Sequence, residues 1–435
     1  MAQSDSLFNA ISKGKVSGYW RSFLMATDNQ APLQDWNAIA TGGLLKYESG
    51  LFNGFSIGVG FYYTMDIHSN ISQKDTSTNK YSRYELGLYD FNDPDNREIP
   101  LLGEAYISYK KNNHQIKFGR FKLKTPFLNP EDGRMIPTLE QGFWYQFNNK
   151  KNISTEFGWL THIGTRSTSE FQTIANSIGS YPQGLNTDGT KGNYKGNLTS
   201  KGMGVVSICY FQKNWMIKVW NYYVENIFNS SFLETSYLFE QDQLTHKFLF
   251  QYLNQNKLKN GGNNNAEETY FFDKNAQLFG LKYQTITSGK WTFSANWNYI
   301  TDHGRFQFPR EWGRESLFVF QKRERLEGMA DSHAWMVDIQ KNFSFKKDNS
   351  MVVKLGYGQY FRPDAKNFAQ NKYAMPANDQ LNLDIFYFSK PNKTGLIVEG
   401  LIAFKSPLGN TYNNPNLVLN KVNMVNYNLV VNYVF

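Results

Sequence analysis

No run of eighteen apolar residues occurs anywhere in the chain, which excludes a bundle of transmembrane helices. One cysteine, Cys209, stands in 435 residues, so no intramolecular disulfide framework exists and Cys209 reads as an ordinary strand residue. There is no block of lysines and arginines. The net charge of +9 is spread along the chain, which argues against nucleic acid as a partner and leaves anionic lipid or anionic solutes. The histidines at 68, 114, 162, 246, 303 and 333 are scattered, with neither an H-E-x-x-H motif nor His/Cys metal spacing, so no metal or other cofactor is expected. MAQSDSLF carries no apolar signal core, as expected either where no signal existed or where the chain is a mature one. Convincing amphipathic helices are missing as well.

What the chain has instead is aromatic residues, 17% of the total, and a hydrophobic period of two. In GFSIGVGFYYT (54–64), Phe55, Ile57, Val59, Phe61 and Tyr63 share one face, opposite Ser56, Gly58, Gly60, Tyr62 and Thr64. WTFSANWNYI (291–300) repeats the pattern. Eighteen such runs predict strands near 16–26, 37–49, 54–66, 102–111, 114–122, 141–148, 152–161, 202–211, 214–224, 232–239, 244–253, 275–286, 290–301, 333–344, 350–361, 380–389, 394–405 and 420–435. Their connections alternate. Long ones cover 27–36, 67–101, 123–140, 162–201, 254–274, 302–332, 362–379 and 406–419, with a moderate one at 225–231. Between them lie turns such as NN (112–113), NKK (149–151), QK (212–213) and PNK (391–393).

Long loops on one side and tight turns on the other describe an outer-membrane barrel, in which turns face the periplasm and loops the exterior. An open sheet edge in lipid would leave unpaired backbone groups, so the sheet must close. At about eighteen strands the bore is too wide for side chains to fill, and water enters. The expected architecture is therefore all-β: one domain, residues 1–435, an 18-stranded antiparallel transmembrane barrel with its apolar face outward. The last run, VNYNLVVNYVF (425–435), reads as the closing strand, its asparagines inward and Tyr433 and Phe435 in the periplasmic aromatic girdle.

Residues HQIKFGRFKLKTPFLNPEDGRMIPTLEQGFWYQF (114–147) contain Phe118-Gly119, Thr125-Pro126-Phe127 and Asp132-Gly133-Arg134-Met135-Ile136-Pro137, with Gly142 opening the next strand. This pattern resembles the OprD family of outer-membrane porins, as does DWNAIATGGLLKYESGLFNGFSIGVGF (35–61). The resemblance implies an 18-stranded, monomeric, substrate-selective porin of the bacterial outer membrane. Its third loop (123–140) folds inward, and basic residues take small carboxylate-bearing solutes. By position, Arg134 matches the constriction arginine; Asp132, Lys122 and Lys124 accompany it.

Strand parity supplies a second set of candidates. Lys110, Lys117, Lys218, Lys247, Lys282 and Lys354 turn inward, as do Glu104, Glu156, Asp338, Asp384 and Glu399; Arg21 stays ambiguous. The lysines read either as a cationic track for anions or as charges that pair with the inward acids. The stretch 302–332 carries six basic and six acidic residues. It reads as an internally paired loop or as a second pore-mouth loop offering Arg310 or Arg314 to solute.

Two enzyme-like signals fail. GFSIG (54–58) matches a nucleophile elbow, but Ser56 sits in mid-strand rather than at a strand-to-helix turn. DFNDPDN (90–96) lacks the glutamate that completes a calcium loop. The expected function is passive, partly selective diffusion of anionic or zwitterionic solutes, the partners being outer-membrane lipid and lipopolysaccharide. The alternatives are a barrel whose long loops, above all 67–101 and 162–201, dock a surface lipoprotein or secretion complex, and a barrel-borne hydrolase using His162, His303 or His333.

Overall fold

The computed structural model describes residues 6–130, 133–149, 151–389 and 394–435. Among them, eighteen long antiparallel strands close into one barrel. The first nine are β1 (Lys15–Asn29), β2 (Trp36–Glu48), β3 (Phe55–Ser69), β4 (Glu98–Lys111), β5 (His114–Phe121), β6 (Leu139–Asn148), β7 (Ile153–Gly164), β8 (Met203–Gln212) and β9 (Trp215–Val224). The others are β10 (Phe228–Gln241), β11 (Leu244–Lys257), β12 (Asn275–Thr287), β13 (Trp291–Ile300), β14 (Ser332–Ser344), β15 (Ser350–Phe361), β16 (Asn378–Phe388), β17 (Gly395–Pro407) and β18 (Met424–Val434). A further three-residue strand, Phe171–Thr173, pairs with the upper end of β7.

Closure runs through β1 and β18, with Trp20 opposite Tyr433 and Leu24 opposite Leu429. Among the described residues each of the eighteen long strands pairs with a neighbour on both sides, which is the condition a spanning sheet must meet. Period two decides the faces. Phe55, Ile57, Val59 and Phe61 are exposed on the outer belt, while Ser56, Gly58, Gly60, Tyr62 and Thr64 are buried inside. On β18, Tyr427 and Leu429 face out and Asn426, Asn428 and Asn432 face in. Gly119 is required where β5 meets β4: its φ is +122°, and a Cβ there would lie 2.2 Å from the Ala105 carbonyl oxygen.

Three expectations change. The connection expected at 225–231 shrinks to 225–227, because β10 starts at Phe228. Arg21, ambiguous by pattern, points inward and reaches the Arg134 carbonyl. A six-residue helix, α1 (Leu7–Ser12), precedes β1; Ser6 caps it by accepting from the Asn9 amide at 3.1 Å. The PNK turn lies outside the described residues, as does Lys150 of NKK.

The bore is largely filled. Phe127 and Leu128 of the third loop pack with Trp144, Tyr222 and Phe232 of the wall and with Phe306, Phe308 and Trp312 of the loop between β13 and β14. Opposite, the loop between β3 and β4 turns inward through a 3-10 turn, Glu85–Leu88, and packs Tyr84, Leu86, Leu88 and Tyr89 on Phe23, Met25 and Val430. Two apolar masses thus sit inside a polar-lined cylinder.

Candidate functional site

The loop between β13 and β14 (301–331) is held in the bore by the inner faces of the far strands. Gln255 donates to the Gln307 carbonyl at 2.9 Å, and Gln251 donates to the Ser316 carbonyl at 2.8 Å. Asn298 accepts from the Val319 amide at 3.1 Å, and Gln380 donates to the Lys322 carbonyl at 2.8 Å. The polar residues that alternate with the apolar belt therefore satisfy a loop backbone that would otherwise be buried without partners. Asn129 ties this loop to the third one, accepting from the Arg314 amide at 3.1 Å and donating to the Arg314 carbonyl at 3.0 Å.

Glu324 pins the centre of the crossing. It pairs with Arg362 and, at 2.6 Å, with Lys405, and accepts from Asn378 at 3.0 Å. Burial by itself would raise its carboxyl, but the Arg362 and Lys405 charges outweigh that and hold it at about 2. The next residues back, Lys322 and Arg323, project into the remaining passage. Arg323 donates to Asn426 at 2.6 Å and to Asn428 at 2.5 Å on β18. Lys322 faces Asp384 at 3.4 Å and Glu399 at 3.7 Å.

Between the loops runs a cavity of about 1240 Å³, bounded by Phe23, Tyr84, Arg134, Lys322, Arg323 and Val430 among others. Arg134 is buried and donates to the Tyr84 carbonyl at 2.9 Å. Burial and then the neighbouring Arg134 charge push the Arg323 guanidinium down to about 10. Arg134, Lys322 and Arg323, from two different loops, thus line the passage together, and Arg21 of β1 supports them by donating to the Arg134 carbonyl. Of the described residues lining the whole cavity, twelve are basic and two, Glu324 and Glu399, are acidic.

The other expected site residues are dispersed. Asp132 lies outside the described residues. Lys122 and Lys124 stand exposed just after β5. Arg310 lines the cavity but is committed to Glu327 at 2.5 Å and lies 3.5 Å over the Tyr373 ring. Arg314 packs over Phe320, 5.3 Å away. The inward lysines do not form one unbroken positive line. Lys218 faces Glu234 at 3.6 Å and Lys354 faces Asp338 at 3.5 Å. Lys117 lies 5.0 Å over the Tyr106 ring, Lys110 is exposed at the turn end of β4, and Lys247 and Lys282 sit on adjacent β11 and β12.

Parity passed over Lys46, whose ammonium lies 2.6 Å from Glu104, because Leu44-Leu45 blurs which face of β2 meets lipid. It also passed over the loop 70–97 entering the bore; the apolar Tyr84, Leu86, Leu88 and Tyr89 were its one signal. Asp90 is occupied by Ser169, whose hydroxyl donates to it at 2.6 Å. His162 and His303 each sit beside a threonine, and His333 stacks on Phe361.

A closed barrel with a lipid-facing apolar belt, a polar interior and loops folded into its bore defines a pore-forming protein of the outer membrane. The family model for the OprD outer-membrane porins matches residues 11–361. The chain belongs to that family, whose members are channels rather than enzymes. Similar solved structures include Pseudomonas aeruginosa OpdK with vanillate, at 13% identity, 98% and 99% of the two chains covered and a TM-score of 0.71. Acinetobacter baumannii OccAB2 has 13% identity, the same coverage and a TM-score of 0.72. Pseudomonas aeruginosa OccK2 (OpdF) in complex with glucuronate has 9% identity, again 98% and 99% coverage and a TM-score of 0.67. No curated protein sequence matches the chain.

Proposed function

We propose that this porin passes small carboxylate-bearing solutes, anionic or zwitterionic, with Arg134, Lys322 and Arg323, supported by Arg21, as the selecting group. One observation carries the reading: the cavity wall holds twelve basic residues against two acidic ones among those described. Such an excess attracts anions down the vestibule. A charge pair at 4 Å is worth about 1 kcal/mol in water and about 4 kcal/mol at an effective dielectric near 20. Contacts of that size, placed in series, attract a solute without trapping it, as conduction requires. An arginine can grip a carboxylate through two parallel bonds, so Arg134 and Arg323 would orient it. Vanillate and glucuronate, bound in the two similar porins, are both carboxylates. The chain is proposed to act as a monomer, with lipid and lipopolysaccharide around its apolar belt.

Liposome swelling with amino acids, sugars and mono- and dicarboxylates tests the substrate class. Carboxylates should enter faster than neutral sugars of equal size. Equal rates, or a cation preference in bilayer recordings that Arg134→Ala leaves unchanged, would refute the proposal.

A further inference from the structure

On the long-loop side, three cations line the same cavity from two loops: Lys80 and Arg83 between β3 and β4, and Lys421 just before β18. None has an acidic partner among the described residues. Lys421 donates to the carbonyls of Tyr373 and Ala374, both at 2.9 Å. Arg83 has the Met375 sulfur at 3.8 Å and the Tyr84 ring 5.6 Å from its guanidinium carbon. Neither contact uses up the five donors of a guanidinium. Glu324 attracts Arg83 only from a distance, being itself committed to Arg362 and Lys405. The three groups also repel one another. Burial and then the Arg83 and Lys80 charges drive the Lys421 ammonium well down from its ordinary value. Burial and Arg83 lower Lys80.

Two other inward cations, Lys218 and Lys354, each face an acid. Here three cations line one solute-sized cavity with no carboxylate paired to them among the described residues, an arrangement that favours an anion. A single carboxylate would neutralise one charge and supply two acceptor oxygens. Three converging cations, one of them a forked guanidinium, match a compact group with two charges and three or more oxygens.

We propose that Lys80, Arg83 and Lys421 form a binding site for a doubly charged oxyanion, a phosphate group free or carried on a small organic solute. The proposal rests on the reading that the vestibule admits anions from outside. It makes the long-loop side of the cavity a capture site that concentrates phosphorylated solutes.

The test uses the full chain in planar bilayers, with inorganic phosphate or acetate added at pH 7.5 on the long-loop side. Phosphate should interrupt the chloride current at concentrations where acetate does not. Arg83→Gln and Lys421→Gln should each raise the blocking constant about tenfold, since about 1.4 kcal/mol is one decade. Heat-modified gel migration reports that each variant barrel is folded, and Arg83→Gln alone suffices if Lys421→Gln is not. Equal block by phosphate and acetate, or wild-type block in a folded variant, would overturn the proposal. An outer leaflet of lipopolysaccharide that abolishes the block would overturn the luminal placement. Should the chain carry no current, the transport reading fails by itself. Calorimetric titration of the solubilised protein with phosphate then decides: saturable heat that Arg83→Gln removes supports the site, and its absence refutes it.

Discussion

Replacing Glu324 by glutamine keeps the shape of the side chain and removes its charge. In the native protein Glu324 lies between Arg362 and Lys405, both fully buried. The variant leaves two buried cations facing a neutral amide, the situation that makes breaking a buried pair cost about 3–5 kcal/mol. The titration of the group gives an independent figure. A carboxyl held from 4.5 down to about 2 contributes roughly 3 kcal/mol, at 1.36 kcal/mol per pH unit. Because the folded value lies below the ordinary one, that contribution is complete above about pH 4.5 and is lost as pH falls toward about 2. Denaturant unfolding in lipid should therefore find Glu324→Gln less stable than the native chain by roughly 3 kcal/mol at pH 7, with the gap narrowing by pH 3. Hydrogen exchange should localise the loss to residues 317–326, whose amides at Arg325 and Val319 are held by Glu324 and Asn298. A gap below about 1 kcal/mol at pH 7, the scale of an exposed pair, would refute the account of this residue as the pin of the crossing loop. So would a gap that does not change with pH.

Arg323→Ala removes the bridge to Asn426 and Asn428, so single-channel conductance should rise; an unchanged conductance would show that Arg323 does not bound the passage. Phe127→Ala empties the centre of the aromatic cluster between the third loop and the wall. It should cost about 3–5 kcal/mol of stability, read by thermal unfolding in detergent. Lys218→Ala breaks a pair whose lysine is 35% exposed, so stability should change by less than about 1 kcal/mol in the same assay.

The strands were legible because a membrane barrel imposes two solvents on one sheet. Lipid outside and a polar bore inside force strict alternation, and Phe55 through Phe61 or Tyr427 through Phe435 record it directly. Connection length was legible for the same reason, since turns and loops face different compartments. Parity failed where both faces carry similar side chains. Tyr19, Phe23 and Met25 point inward on β1 because loops cover them there, which is why Arg21 could not be assigned from pattern. The stretch 225–231 read as a connection because Ser230 and Ser231 interrupt the apolar alternation; in the barrel Ser230 faces the bore and bonds Gln255.

The sequence by itself determined the barrel: strand number, inward and outward faces, the third-loop motif around Arg134 and the excess of positive charge. Each of these is written in local periodicity or composition. Only the tertiary structure decided what the lumen is. Asn426 and Asn428 appear in sequence as solvated pore residues, yet they hold Arg323 from a loop about a hundred positions away. Lys405 and Arg362 look like separate strand-end cations, yet they converge on Glu324. Lys80, Arg83 and Lys421 are gathered from opposite ends of the chain. Such groupings depend on how loops 70–97 and 301–331, and the described residues of the third loop, fold back into the bore. That folding is set by many long-range hydrogen bonds to the inner face, and no periodicity along the chain encodes those partners.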